Sequence, residues 1–115
     1  MQYNPIETFL QEAEELLADI EQSALTLGAG EQSEETINQL FRAFHTIKGS
    51  GAMFGLDAVA GFTHHVESLL DRVRDGAVPV SPTLADLVLK ARDHIKILLG
   101  AARGGEAAPQ VRARV

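Results

Sequence analysis

Apolar side chains recur every three or four residues in four stretches of the chain, a spacing typical of helices that bury one face. Asn4-Pro5 and Ser81-Pro82 each place a capping side chain before a proline that suits the first turn of a helix. The end signals predict helices from Pro5 to about Gly28, from Ser33 to about Phe54, from Leu56 or Asp57 to Arg74, and from Pro82 to about Gly100. The residues predicted to face the core are Ile6, Phe9, Leu10, Ala13, Leu16, Leu17, Ile20 and Ala24, then Ile37, Leu40, Phe41, Phe44 and Ile47, then Val59, Phe62, Val66, Leu69, Leu70 and Val73, and finally Leu84, Leu87, Val88, Ala91, Ile95, Leu98 and Leu99.

Short connections join the four predicted helices, and no stretch alternates apolar and polar residues as a half-buried strand does. Because short connections place consecutive helices side by side in opposite directions, we predict an all-α fold, an antiparallel up-and-down four-helix bundle over residues 1–100. Residues 101–115 are mostly small, contain Gly and Pro, and lack an apolar stripe. We interpret them as a linker or tail that leads to further domains of a longer protein, with at most a weak fifth helix.

Composition and charge narrow the functional class. The 115 residues are 45% apolar and 23% charged, which suits one globular domain. The net charge of −6 repels phosphate backbones, and this argues against nucleic-acid binding. The uninterrupted apolar runs are only a few residues long, so no membrane insertion is expected. The lack of cysteine and of a secretion-type N-terminus favours a cytoplasmic protein.

The candidate chemistry begins with His45 on the second predicted helix. A helical wheel places this residue on the shoulder of the apolar stripe, between the core face and the outermost line. Lys48 and Gly49 follow about one turn later. The glycine costs the helix roughly 1 kcal/mol relative to alanine, and it leaves bare space beside the imidazole. Each of these residues alone is typical of an ordinary helix surface, whereas together they leave room for a bulky group or a partner.

Glu67 lies on the shoulder of the third predicted helix, and His64 lies near its outermost line. If the second and third helices are neighbours, these shoulders face each other and His45 can meet Glu67, although periodicity alone leaves this open. A carboxylate that accepts the Nδ1–H of a neutral imidazole fixes the tautomer and leaves Nε2 as the nucleophile. It also stabilises the positive ring that forms when Nε2 reacts. Lys48 is placed to offset the charge of a phosphoryl group.

Two other interpretations use the same residues. His64-x-x-Glu67 resembles half of a carboxylate–histidine metal site, to which His45 or His65 could add a ligand. Metal-binding bundles need a second such pair on another helix, which the sequence lacks, so no metal is expected. The other interpretation is a helical adaptor without chemistry, in which the apolar faces only form the core. The glycines near residue 50 match no nucleotide-binding loop, so no ATP site is expected either.

The segment from Phe41 to Gly55, FRAFHTIKGSGAMFG, resembles the phosphorylation motif of histidine-phosphotransfer (HPt) domains. The later run from His64 to Gly76, HHVESLLDRVRDG, resembles the third helix of the same family. The similarity is strongest to the N-terminal HPt domain of CheA-type chemotaxis kinases and covers roughly residues 5–99. The motif H-x-x-K-G followed by H-x-x-E at this separation is specific, so we identify the chain as resembling this family.

The resemblance implies a role for each residue of the candidate site. His45 would be the phosphoacceptor, and Glu67 would be the hydrogen-bond partner that orients it. Five neighbours would complete the polar cluster or form the surface that a partner covers: Lys48 and His64 in the cluster, and Gly49, Arg42 and Ser50 on the surface. CheA-type domains commonly carry a fifth helix, for which residues 101–115 give only a weak signal.

The resemblance also implies a function, that of a phosphocarrier in a two-component or chemotaxis phosphorelay. His45 would accept a phosphoryl group from an ATP-bound kinase domain of the same polypeptide or of a dimer partner, and pass it to an aspartate of a CheY-like response-regulator receiver. This domain would bind no cofactor itself, because ATP and Mg²⁺ would be used by the partner domains. It would be no enzyme alone but the phosphoacceptor fragment of a CheA-type histidine kinase. A stand-alone phosphorelay protein and an inert adaptor remain the alternatives.

Overall fold

The computed structural model describes residues 4–29 and 33–104, and over these residues the chain forms four helices. They are α1 (Pro5–Gly28), α2 (Ser33–Met53), α3 (Asp57–Arg74) and α4 (Pro82–Gly104). The side chain of Asn4 accepts hydrogen bonds from the first backbone N–H groups of α1, and the Ser81 hydroxyl accepts one from Leu84 in α4. The predicted caps at Asn4 and Ser81 are therefore present, and the all-α bundle is confirmed.

The four helices pack around one apolar core, each against its two neighbours. α1 contacts α2 and α4, and α3 closes the square by contacting α2 and α4. Most residues predicted to face inward are buried or half-buried. Leu87 is an exception, because 47% of it is exposed beside a groove between α3 and α4, the most loosely packed pair. No helix in the described residues combines the length and the apolar character that crossing a bilayer requires.

α2 and α3 form the most closely associated pair of the bundle. Gly51 is buried between them, and a Cβ atom there would lie 3.2 Å from Cγ1 of Val59. The missing side chain therefore lets the two helices approach each other at this point. α2 ends in a turn at Gly55, whose φ of 75° favours glycine, and the N–H of Leu56 bonds back to the carbonyl of Gly51. This short reversal brings the polar shoulder of α3 against that of α2.

The end of α4 differs from the prediction. The helix was expected to end at Gly100, but it continues to Gly104. A glycine weakens a helix by about 1 kcal/mol without breaking it, and Ala101 and Ala102 are strong helix formers that follow it directly. Leu99 is buried and anchors this last part of α4 to the core. Residues 105–115, where most of the linker and the weak fifth helix were predicted, lie outside the described residues.

Candidate functional site

Three polar side chains meet where α2 faces α3. His45 and Lys48 lie one turn apart on α2, and Glu67 lies opposite them on α3. The Nδ1 atom of His45 is hydrogen-bonded to Oε2 of Glu67. The Nζ atom of Lys48 lies 2.6 Å from Oε1 of the same carboxylate. The structure thus brings together the two residues whose contact the helical periodicity left open, and each carboxylate oxygen has its own partner.

Glu67 is far more buried than its place on the helical wheel suggests. Only 6% of its side chain is exposed, because α2 covers the shoulder of α3 on which it lies. Burial by itself raises the pKa of this carboxyl group, but the hydrogen bonds from Lys48 and His45 and their positive charges outweigh it. The pKa of Glu67 is therefore held below the ordinary value of a glutamate. The group is ionised at neutral pH and can only accept hydrogen bonds.

The ionised carboxylate decides which nitrogen of His45 remains available. Because Glu67 can only accept, the hydrogen of the shared contact resides on Nδ1 of the imidazole. In the neutral ring Nε2 is then the nitrogen with a free lone pair. The side chain of His45 is 62% exposed. The site therefore joins a buried, charged orienting group to an accessible nucleophile whose tautomer is set.

Lys48 has a partner on α3 that the sequence did not indicate. The sequence placed its charge beside a phosphoryl group, whereas the structure pairs its amine with Glu67. With 28% of its side chain exposed, Lys48 covers the carboxylate from the solvent side. It thereby keeps Glu67 ionised in spite of burial. A contact between Lys48 and a phosphoryl group stays a prediction.

His64 is not joined to this cluster. It is exposed on α3, and its ring centre lies 6.0 Å from that of His65. Within residues 4–29 and 33–104, no hydrogen bond or ion pair links it to His45, Lys48 or Glu67. Its predicted part in the site stays a prediction. In the same part of the chain, no group of three or more His, Asp or Glu side chains is arranged to hold a metal ion.

The three residues predicted to face a partner surround His45 on α2. Gly49 is exposed, and a Cβ atom built on it would meet nothing within 4 Å. Arg42 is exposed one turn before His45 and lines a groove between α1 and α2. Ser50 is half-buried. Their positions leave the surface around His45 open, and their contact with a partner stays a prediction.

Phe41 lies beside the imidazole and Arg74 lies over the ring of Phe41, and neither contact is predicted by the sequence pattern. The rings of Phe41 and His45 are nearly parallel, with an interplanar angle of 10° and centres 6.0 Å apart. The guanidinium carbon of Arg74 lies 4.5 Å from the centre of the Phe41 ring. The apolar pattern indicates Phe41 only as a core residue. The signal that identifies it is its spacing of four residues from His45, which places both rings on one face of α2.

Comparison with known families decides the class. The family model of the Hpt domain matches residues 6–105. The chain belongs to the Hpt domain family. An Hpt domain is a phosphocarrier and not a catalyst, and this chain therefore has the role of a phosphorelay phosphocarrier.

Similar proteins are chemotaxis proteins of much greater length. The chemotaxis protein CheA of Rhizobium meliloti is 39% identical over 108 residues, which cover 94% of this chain and 14% of that protein. CheA of Salmonella typhimurium is 38% identical over 100 residues, which cover 87% of this chain and 15% of that protein. This Hpt domain thus spans about one seventh of these relatives. A solved structure, a protein with a redesigned hydrophobic core, has a TM-score of 0.80 over 91% of this chain and 95% of its own, and at 22% identity it supports the fold alone.

Proposed function

We propose that this Hpt domain carries a phosphoryl group on Nε2 of His45, receives it from ATP bound to a kinase domain, and passes it to an aspartate of a response-regulator receiver. The observation that carries the proposal is the pairing of a buried, ionised Glu67 with Nδ1 of an exposed His45. This pairing leaves Nε2 as the reactive nitrogen in the neutral ring. A surface histidine without such a partner has no group that holds its hydrogen on Nδ1.

The chemistry follows from this arrangement. The lone pair of Nε2 forms a bond to the γ-phosphorus of ATP while the bond from phosphorus to the bridging oxygen breaks, and its electron pair leaves with ADP. The ring gains a positive charge and keeps its hydrogen on Nδ1. Glu67 already faces that hydrogen, so it stabilises the charge without rearranging. In the second step a carboxylate oxygen of the receiver attacks the phosphorus, and the electrons of the phosphorus–nitrogen bond return to Nε2.

The partners supply what this domain lacks. ATP and Mg²⁺ are brought by the kinase domain, and the receiver contributes the accepting aspartate. This domain contributes a positioned nucleophile. A carrier has to release its partner after each transfer, so the contact is expected to be small and transient. We expect that it covers His45, Gly49, Arg42 and Ser50, together with the nearby face of α3 at His64.

The lengths of the relatives support a place in a longer protein. CheA of Rhizobium meliloti extends far beyond the part that matches this chain. We propose that the four-helix domain, whose last helix runs to Gly104, is the phosphoacceptor domain of a CheA-type histidine kinase and that the residues after Gly104 begin the connection to its other domains. Because ATP is the phosphoryl source, we place this activity in the cytoplasm.

The site of phosphorylation can be tested on this chain alone. Phosphoramidate is a small phosphodonor that needs no kinase domain. We expect that incubation with it adds one phosphoryl group per chain, stable in alkali and lost in mild acid, as a phosphorus–nitrogen bond requires. Tandem mass spectrometry should locate the group on His45, and ³¹P–¹H correlation NMR should locate it on Nε2. A phosphoryl group on His64, His65 or His94 instead, or no phosphorylation at all, would contradict the proposal.

The space beside His45 gives a second test. Gly49→Gln is expected to leave the free energy of unfolding unchanged or raise it by up to about 1 kcal/mol, because the position is helical, exposed and unobstructed. The longer side chain fills the space that a receiver's aspartate needs beside Nε2. We therefore expect transfer to a CheY-type receiver to slow by on the order of 100-fold, since small misplacements of reacting groups have effects of this size.

Gly100→Gln is the matched control for this substitution. Gly100 is also helical and exposed with nothing within 4 Å of an added Cβ, but it lies on α4, away from His45. Rapid-quench measurements of transfer and urea titrations of both variants decide the matter. A Gly49→Gln variant that transfers as fast as the Gly100→Gln variant would show that the space has no part in transfer.

A further inference from the structure

Two of the contacts between α2 and α3 involve charged side chains and lie two helical turns apart. On α2, Phe41 precedes Lys48 by seven residues, and on α3, Glu67 precedes Arg74 by seven residues. Seven residues are about two turns, or roughly 10 Å along a helix. Because the helices run in opposite directions, Lys48 meets Glu67 at one level and Phe41 meets Arg74 at the other. The imidazole of His45 lies between these levels, next to Glu67 at one and Phe41 at the other.

The hydrogen bond to Glu67 does not fix the orientation of the imidazole plane. A single contact at Nδ1 holds that atom, but it does not fix the plane of a ring that is 62% exposed. Nε2 lies on the far side of the ring, so a rotation about Nδ1 moves it away from an incoming phosphorus atom. The nearly parallel ring of Phe41 lies beside this plane on the same face of α2, with its centre 6.0 Å from that of the imidazole.

Phe41 is itself held in place from α3. It is half-buried and packs against the core, and the guanidinium carbon of Arg74 lies 4.5 Å from its ring centre, within the range of a cation–π contact. Arg74 lies in the last turn of α3, where its positive charge interacts favourably with the helix dipole. Asp71 lies one turn before it, with its Oδ1 atom 3.5 Å from Nη1 of Arg74.

From this geometry we infer that Phe41 is a positioning residue that holds the imidazole plane of His45, and that Arg74 acts through Phe41 by holding its ring. The inference rests on the proposed role of His45. Glu67 sets the tautomer of His45, and Phe41 is a second residue that sets the direction in which Nε2 points. This arrangement also gives a common role to the Lys48–Glu67 and Phe41–Arg74 contacts, because the exposed imidazole of His45 lies between them.

The first experiment measures the rate of phosphorylation of this chain by phosphoramidate in single-site variants. Phe41→Leu keeps an apolar side chain but removes the flat ring, and we expect the rate to fall roughly five- to tenfold. Phe41→Tyr keeps the ring and should restore most of the rate. Arg74→Met keeps the length of the side chain and loses the charge, and we expect a decrease of about threefold. Arg72→Met, an exposed arginine in the same turn of α3, is the matched control.

A double variant shows whether Arg74 acts through Phe41. If it does, Arg74→Met has no further effect once Phe41→Leu has removed the ring, so the double variant reacts as fast as Phe41→Leu alone. If Arg74 instead acts directly on the incoming phosphoryl group, the two decreases multiply, and this result would overturn the inference. NMR adds a structural readout. Phe41→Leu should shift the ring protons of His45 by removing a ring current, while the ¹⁵N shifts that report the Nδ1–H tautomer stay unchanged.

The outcomes separate this inference from the proposed function. If the unaltered chain is phosphorylated on another residue, or on none, the proposed function itself is wrong. If His45 is phosphorylated and Phe41→Leu and Arg74→Met react at the unaltered rate, only the inference is wrong. Arg74→Met leaves the core untouched, so an unaltered rate in this variant overturns the role inferred for Arg74 even if Phe41→Leu perturbs the packing of the bundle.

Discussion

Substitution of His45 by glutamine is expected to abolish phosphorylation of this domain while its four helices remain intact. Glutamine has no nitrogen lone pair that can displace a leaving group from phosphorus, so the rate should fall by on the order of 1,000-fold or more. The fold should tolerate the change because 62% of the His45 side chain is exposed and its removal opens no cavity in the core. The glutamine amide can also donate a hydrogen bond to Glu67. We therefore expect the free energy of unfolding to change by no more than about 1 kcal/mol.

The histidines on α3 provide the comparison. His65→Gln alters an exposed histidine that has no assigned part in the site and should be phosphorylated like the unaltered chain. His64→Gln tests whether His64, which was predicted to belong to the polar cluster but does not contact Glu67 in the described structure, affects phosphorylation. Circular dichroism melts and phosphoramidate labelling of the three variants are sufficient. Normal labelling of the His45→Gln variant, with the phosphoryl group on His64 or His65, would show that the phosphoacceptor has been assigned to the wrong residue.

The fold could be predicted from the sequence because every helix carries its own local signals. Asn4 and Ser81 act as caps where the sequence places them, and the apolar stripes face the core except at Leu87. The end of α4 could not be predicted in the same way. Gly100 resembles a stop signal, and only the burial of Leu99 together with the alanines after it decides that the helix continues.

The candidate site could be predicted only in part, because a helical wheel describes one helix at a time. It places His45 and Glu67 on the shoulders of their stripes, but whether these shoulders meet depends on the approach of α2 to α3 at Gly51. The same approach buries Glu67, which single-helix periodicity places only on a shoulder of the apolar stripe. It also brings the amine of Lys48 into an ion pair with the carboxylate of Glu67. Contacts that depend on two helices, such as Arg74 over Phe41, have no signal in either helix alone.

Replacement of Glu67 by glutamine should separate the nucleophile from the group that orients it. The variant keeps the size of the side chain but loses the charge, so the amide can offer Nδ1 of His45 either a donor or an acceptor. Both tautomers of the imidazole are then populated, and in one of them Nε2 carries the hydrogen and cannot attack. Stabilisation of the positive ring is lost as well. We expect phosphorylation by phosphoramidate to slow by on the order of 100-fold, with ¹⁵N NMR showing the mixed tautomers.

The same variant should change how stability depends on pH. The pKa of Glu67 is lowered in the folded chain, so its contribution to stability is complete above the pKa of an unfolded glutamate, near 4.3. That contribution is lost as pH falls through the lowered pKa of the folded state. At pH 7 we expect Glu67→Gln to reduce the free energy of unfolding by about 2 kcal/mol, and the difference from the unaltered chain should shrink as the pH falls below about 4.3. Glu12→Gln, on the exposed side of α1, is the control. Urea titrations between neutral and acidic pH that give the same difference at every pH, together with an unchanged rate of phosphorylation, would show that the carboxylate neither pairs with Lys48 nor orients His45.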